Sequence, residues 1–292
     1  MNLVDKQVVQ NKMNKRIISN RIMRQLFFLA SVFGIVVLAV LLYRIFSEGL
    51  PYLDLSFLTS FASRFPEEAG IKAAIAGSIW LMAVTAPISL ILGVGTAIYL
   101  EEYAQENKFT RFIRMNISNL AGVPSVVFGL LGLTVFVRLM EMGRSVIAGG
   151  LTMSLLILPI IVVSSQEAIR SIPKNQYEAS FAMGATKWQT IRRVVLPAAI
   201  PGILTGGILA LSRAIGETAP LLMIGALSFI AYLPENIWSG FTVLPIQIFN
   251  WTGRPQEEFH LVASAGIIVL LVILLLMNSV AILIRNKFSK RY

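Results

Sequence analysis

The stretch VVLPAAIPGILTGGILALSRAIGETAPLLMIGALSFIAYL, residues 194–233, decides how many times this chain crosses a membrane. Val194 to Ser212 holds no charge; Arg213 and Glu217 follow, and then an apolar tail ending near Leu233. A helix needs roughly 17–25 apolar residues to cross the hydrocarbon core. The stretch therefore supports one span with an extension, or two crossings. Five other uncharged stretches accompany it: Leu26 to Tyr43, Ala73 to Leu100, Met115 to Val137, Ser145 to Gln166 and Leu261 to Ile284. Each is continuous rather than alternating with a period of two, which selects helices over barrel strands.

Charge asymmetry separates six crossings from seven. With six spans and the N-terminus inside, the inside segments 1–25, 101–116, 166–198 and 285–292 hold 18 of the 25 Lys and Arg. The outside loops 47–72, 138–144 and 231–260 hold 5. A seventh crossing would carry Arg285, Lys287, Lys290 and Arg291 outside, against the positive-inside rule. The expected architecture is all-α: a polytopic membrane protein with six transmembrane helices and both termini in the cytoplasm.

Composition agrees. Of 292 residues, 56% are hydrophobic and 14% charged, against about 25% charged in a soluble domain. The net charge of +10 collects in the inside segments, as expected beside anionic headgroups, and needs no nucleic acid to explain it. The chain has no cysteine, which excludes disulfides and thiolate metal sites. The first apolar run is long and no small-residue cleavage site follows it, so it reads as an uncleaved helix. The expected organisation is a basic arm (1–25), one six-helix membrane domain (26–284) with a cytoplasmic loop (166–198), and a basic tail (285–292).

That loop is too long for a turn and predicts two short helices. Pro173 suits a helix start, Gly184 a left-handed helix end, and Thr186 with Gln189 a capping box. Glu178-Ala179-Ser180, Gly184 and Leu196-Pro197 resemble the Glu-Ala-Ala loop of ABC-importer permeases. Ser180 stands where that pattern has a second Ala, and Val194 where it has Ile. The resemblance implies that Glu178, Ala179, Ser180 and Gly184 belong to a coupling helix docking on an ATPase subunit. The chain has no Gly-Lys dipeptide, hence no Walker phosphate loop of its own. On this reading it is a transport subunit rather than an enzyme, with no cofactor of its own. ATP and Mg would be bound by the partner ATPase.

Arg213 and Glu217 are charges inside an apolar stretch, and their i, i+4 spacing places both on one face of a helix. Counted from Ile203, Arg213 lies about 15 Å along the helix, near mid-membrane. A central charge costs roughly 2.5–3.5 kcal/mol on insertion scales and so faces a partner or a water-filled path. Two readings stand: a self-neutralising ion pair that pins packing, or a site on the translocation path. The arginine fork suits an oxyanion. The carboxylate neutralises the fork when the path is empty, and can accept a hydrogen bond from a protonated phosphate, which sulfate lacks. Gly216 and Pro220 can loosen the helix there.

Arg213-Ala214-Ile215-Gly216-Glu217-Thr218-Ala219-Pro220 is similar to the signature of phosphate-specific ABC permeases. So is Asn119 to Gly129, NLAGVPSVVFG. Residues 244–251, LPIQIFNW, and 254–260, RPQEEFH, resemble the A-type rather than the C-type subunit of that family. The resemblance spans roughly 70–284. It implies a type I ABC-importer permease fold, alternating access, and pathway roles for Arg213 and Glu217. It also implies a homologous C-type permease partner, an ATPase dimer, an extracytoplasmic phosphate-binding protein, and a bacterial inner-membrane location. The rival cargoes are molybdate, sulfate and phosphonate. The rival class is an ATP-independent secondary transporter or channel, against which the coupling-loop pattern speaks.

Other features have simpler readings. His260 reads as interfacial, and Glu101-Glu102 as a solvated helix end. Gly122, Pro124, Gly129 and Gly132 read as close-packing positions. For 231–260, two readings stand, an aromatic interfacial belt or a re-entrant segment.

Overall fold

The computed structural model describes residues 6–227 and 229–288. The end of the expected basic tail, with Lys290 and Arg291, lies outside the described residues, as do the first five residues of the arm. Among the described residues the chain is helical, and the only strand-like contact is an isolated bridge between Ser145 and Gly240.

Helix α1, Lys6–Gly49, runs without a break from the basic arm through the first apolar stretch. Helix α2, Lys72–Ile98, continues through a wider, π-helical turn, Tyr99–Tyr103. Then come α3, Lys108–Leu120, and α4, Ser125–Gly132, which runs on through a second π-helical turn, Leu133–Leu139. Helix α5 is Val146–Arg170, and the short helices α6, Lys174–Ala182, and α7, Lys187–Thr190, follow. A third π-helical turn, Ile191–Val195, joins α7 to α8, Leu196–Gly216. The chain ends in α9, Ala219–Ile224, α10, Leu244–Thr252, and α11, Glu257–Phe288.

Among the described residues, five helical segments are long and apolar enough to cross a membrane: Arg16–Tyr52, Lys72–Tyr103, Val146–Arg170, Lys187–Gly216 and Glu257–Lys287. A sixth crossing has to run through the bent pair formed by α3 and by α4 with its π-helical turn, whose axes are bent by 105°. The expected continuous span Met115 to Val137 is therefore corrected to a broken one. The physical cause is Pro124, which has no N–H to donate and drives Val123 out of the helical region. Val123 N–H closes a tight turn onto the Leu120 carbonyl, 3.1 Å away.

The stretch 194–233 makes one crossing. Helix α8 stops at Gly216, Glu217 is extended (φ −76°, ψ 127°), and α9 has six residues. Six residues rise about 9 Å, far short of the hydrocarbon core. Thr218 and Pro220 break the helical run, and the apolar tail packs back into the protein: Leu221 and Ile224 are buried.

Three apolar clusters stack along the bundle. Phe57, Ile71, Trp251, Phe259 and Val262 fill one end. Leu81, Phe128, Met153, Ile157, Ala210 and Phe241 fill the middle. Leu100, Ile169, Ile172, Val195 and Ile203 fill the end that carries α6 and α7, called here the loop face. Trp251 is fully buried, 5.9 Å from the Phe57 ring. It is thus a core residue and not part of an interfacial belt, whereas Trp238 is 58% exposed.

Close backbone approach tightens the middle layer. A Cβ at Gly129 of α4 would lie 2.7 Å from the Pro220 Cα of α9. Lipid is as apolar as the core, so helices in a membrane associate through such fit rather than through hydrophobic transfer.

Candidate functional site

Arg213 sits in the last turn of α8 and Glu217 just beyond its end. The sequence expectation of two residues on one face of a continuous helix is therefore modified. The helix has already ended at Gly216, yet the pair still forms, with Arg213 Nε 3.1 Å from Glu217 Oε1. The break makes this possible, because the Glu217 N–H turns back onto the Ala214 carbonyl at 3.2 Å. The Arg213 side chain is 50% exposed and that of Glu217 18%. Among the described residues Glu217 is the only ion-pair partner of Arg213, and it engages Nε alone. Among the described residues neither Nη group of the fork has a hydrogen-bond partner.

Depth follows from the neighbouring helix. The Ser212 hydroxyl donates to the Asn278 side chain of α11. Asn278 lies five or six residues from the centre of the apolar run Leu261 to Ile284, or about 8 Å along the helix. That keeps Arg213 within a core about 15 Å thick on each side. Arg213 is thus inside the membrane, although α8 with its preceding turns begins at Lys187 rather than Ile203.

A broken helix inside a membrane leaves backbone groups unpaired and positions charged side chains at its break. Here α9, after the break, rests on α4 through the Gly129–Pro220 approach. Gly225 ends α9 with φ 85° and packs against the Arg144 guanidinium. A groove of about 600 Å³ lies nearby, lined by Ser78, Met82, Ile215, Ile273 and Met277. It is apolar and contains neither charged residue, so it offers nothing to an anion. The charged pair lies outside this groove, at the helix break.

At the loop face the predicted capping box forms. Thr186 Oγ1 accepts from Gln189 N–H (3.3 Å), and Gln189 Oε1 accepts from Thr186 N–H (2.9 Å). Gly184 adopts φ 78°, the left-handed conformation expected of it. Glu178, Ala179 and Ser180 lie on α6. The Ser180 hydroxyl is 2.9 Å from that of Thr190 and ties α6 to α7. Three large apolar side chains of this loop point outward: Phe181, Met183 and Trp188, with Met183 89% exposed.

Glu101 and Glu102 are not a solvated helix end. The Glu101 side chain is 10% exposed. It accepts from Arg114 (3.1 Å), Gln166 (2.7 Å) and both Nε and Nη2 of Arg170 (2.8 Å each). Arg114 also donates to the Leu100 carbonyl. Glu102 accepts from the Tyr177 hydroxyl at 2.8 Å. Burial, and then the hydrogen bond and charge of Glu102, push the Tyr177 phenol up from its ordinary 10.0. Lys187 lies 5.1 Å over the Tyr103 ring. The π-helical turn at the end of α2 thus holds α3, α5, α6 and α7 together. Sequence reasoning missed this hub, since two adjacent carboxylates at a helix end carry no local signal of their partners. The one available hint was the surplus of Arg at the same face.

His260, read as interfacial, has a ring nitrogen 3.0 Å from the Arg254 carbonyl in the turn before α11.

Residues 89–292 match the family described as binding-protein-dependent transport system inner membrane component. The probable ABC transporter permease protein YqgI of Bacillus subtilis is 34% identical, over 92% of this chain and 95% of that one. The phosphate transport system permease protein PstA of Yersinia pestis is 33% identical, over 93% and 90%. Among solved structures, a bacterial ABC transporter involved in the import of the acidic polysaccharide alginate covers 98% of this chain at TM-score 0.66 and 15% identity. The MetNI methionine ABC transporter, in inward-facing conformations, covers 75% at TM-score 0.60 and 20% identity.

Proposed function

Because the chain belongs to the binding-protein-dependent transport system inner membrane components, as an ABC-importer permease, we propose that its cargo is phosphate and that Arg213 and Glu217 serve the path. The observation that carries this reading is an arginine at a helix break inside the membrane, with both Nη groups free. Two parallel N–H donors match two phosphate oxygens. Glu217 balances the fork when no anion is present. It also accepts from a protonated phosphate hydroxyl, and an acceptor left unpaired by sulfate discriminates against it. The names of several relatives at about 30% identity, phosphate transport system permeases, support the same cargo.

In this reading the loop face is cytoplasmic, with both termini, in a bacterial inner membrane. The capped helix pair around Glu178, Ala179, Ser180 and Gly184 docks in an ATPase subunit. Exposed Phe181, Met183 and Trp188 give that subunit an apolar patch to cover. A homologous C-type permease supplies the other half of the path, and an extracytoplasmic binding protein delivers phosphate. Hydrolysis belongs to the ATPase pair, which also holds ATP and Mg.

The test is uptake of labelled phosphate in cells lacking their own system, with sulfate and molybdate as competitors. Wild type should take up phosphate and ignore both competitors, and Arg213→Gln should abolish uptake. Full uptake by Arg213→Gln removes the residue from the mechanism; wild-type uptake inhibited by molybdate or sulfate reassigns the cargo.

A further inference from the structure

Helix α3, Lys108–Leu120, has three kinds of surface. Its inner face carries Thr110, Ile113, Arg114 and Ile117, at i, i+3, i+4 and i+7. Thr110 is buried, and Ile113 and Ile117 pack on the loop-face cluster. The rest of the helix looks outward and divides in two. At 100° per residue, Phe109, Phe112 and Leu120 fall within an arc about 80° wide, which also holds Asn116, its amide turned onto the Phe112 carbonyl. Lys108, Arg111 and Met115 fall within an adjoining arc of about 60°. Phe109 is 69% exposed and Phe112 59%. Lys108 and Arg111 are exposed; among the described residues neither has an ion-pair partner.

The helix also has a defined level and direction. Arg114 meets Glu101 at the end of α2, and Glu101 in turn meets Arg170, the last residue of α5. α3 therefore lies where two spans reach the membrane surface. Its axis is turned 105° from Ser125–Leu139. Both segments cannot follow the membrane normal, and the one free of charge until Arg138 is the one that crosses.

We propose that α3 is an in-plane interfacial helix that docks on anionic lipid in the leaflet at the loop face. Phe109, Phe112 and Leu120 sink among the acyl chains, and Lys108 and Arg111 hold headgroup phosphates. An apolar flank beside a basic flank, at the level of the headgroups, is the pattern of a helix lying in that interface. Two unpaired cations outward at that depth match a phosphate-bearing surface. The bilayer would then hold one side of the Ala121–Pro124 bend while α4 packs against α9.

The absence of native cysteine allows single-site labelling of the full chain, co-expressed with its partner subunits and reconstituted into phosphatidylcholine with phosphatidylglycerol. A nitroxide at Phe109→Cys or Phe112→Cys should be relaxed by oxygen and not by a water-soluble nickel chelate. A label at Arg111→Cys should show the reverse. Nickel access at 109 and 112 overturns the proposal, and so does shielding of both sites from both relaxants, which would mean a protein partner covers the helix. A second arm reads the charge. A fluorophore at Phe112→Cys should be quenched more by headgroup-nitroxide phosphatidylglycerol than by the phosphatidylcholine analogue. That ratio should fall about twofold to fivefold in Lys108→Gln/Arg111→Gln, as expected for loss of surface charge pairing. An unchanged ratio overturns the lipid assignment. Neither arm reads transport, so these results stand apart from the identity of the cargo.

Discussion

The Arg213–Glu217 pair owes its form to the helix break between them. Had α8 continued through Gly216, the two side chains would stack on one face and neutralise each other along a rigid rod. With Glu217 extended, the carboxylate reaches only Nε, and the outer fork stays open. A lysine at 213 keeps the charge but offers no parallel pair of donors. Arg213→Lys is therefore expected to retain a minor part of phosphate uptake, roughly a tenth, and Arg213→Gln none. That spacing is the loss of about one charge-assisted bond followed by loss of the rest. Initial uptake rates at several phosphate concentrations measure it, and equal activity of the two variants would remove the fork argument. Glu217→Gln should keep uptake while admitting sulfate as a competitor, read as inhibition by added sulfate. Unchanged uptake with unchanged sulfate exclusion would leave Glu217 as a packing residue. The two residues were legible in the sequence because charges stand out in an apolar run. Their detachment across a helix end was not, since Gly216 and Pro220 mark flexibility without fixing where the chain turns.

At the level of elements, two contacts decide how the pieces move together. One is the Gly129–Pro220 approach, where α9 rests on α4. A methyl at 129 meets backbone, which cannot rotate away, so Gly129→Ala should destabilise the chain by about 1–3 kcal/mol. At Gly95 on α2 an added methyl would meet nothing within 4 Å, so Gly95→Ala should be neutral or slightly stabilising. Thermal melting of the two variants in detergent checks the contrast, and equal melting points would contradict the packing account. The other contact is the hub at Glu101. Removing its charge leaves Arg114, 22% exposed, with a neutral side chain at 101 and only the exposed Glu106 carboxylate, 3.4 Å away, as an ion-pair partner. The expected cost is about 1–3 kcal/mol, since Arg170, 47% exposed, keeps water as an alternative partner. Glu101→Gln should therefore melt below wild type, while Glu106→Gln, at a 70% exposed position, should not. Local rules read the loop well: the capping box at Thr186–Gln189 and the left-handed Gly184 depend on residues three or four positions apart. The hub escaped because its partners lie 13, 65 and 69 positions from Glu101. The bend in the third span lay between these cases. Pro124 was visible, but hydropathy alone counted through it.

For the whole molecule, topology and sidedness rest on different supports. Crossings are set by length: five long apolar segments plus one bent pair bring the loop 166–198 and the ends of α2 and α5 to one face. On the proposed reading, the face that meets the cytoplasm is set by charge, through the excess of Lys and Arg on the loop side. Two exposed residues read the outcome directly. Met183 stands at the tip of the loop, and Trp238 lies in the connection before α10. In intact cells, a membrane-impermeant maleimide should label Trp238→Cys and leave Met183→Cys untouched. Inverted vesicles should reverse the pattern. Purified ATPase subunit added to those vesicles should then slow the reaction at 183, because the apolar tip is what docking would cover. Labelling of both sites from one side would contradict an odd number of crossings between them, and with it the single crossing of 194–233. Labelling from opposite sides but with the reverse sense would keep the fold and invert the charge argument, placing the loop where no ATPase could reach it. If the expected sense holds while added ATPase leaves residue 183 equally reactive, the topology survives, and the docking surface must be sought on α6 around Glu178 instead of at the tip.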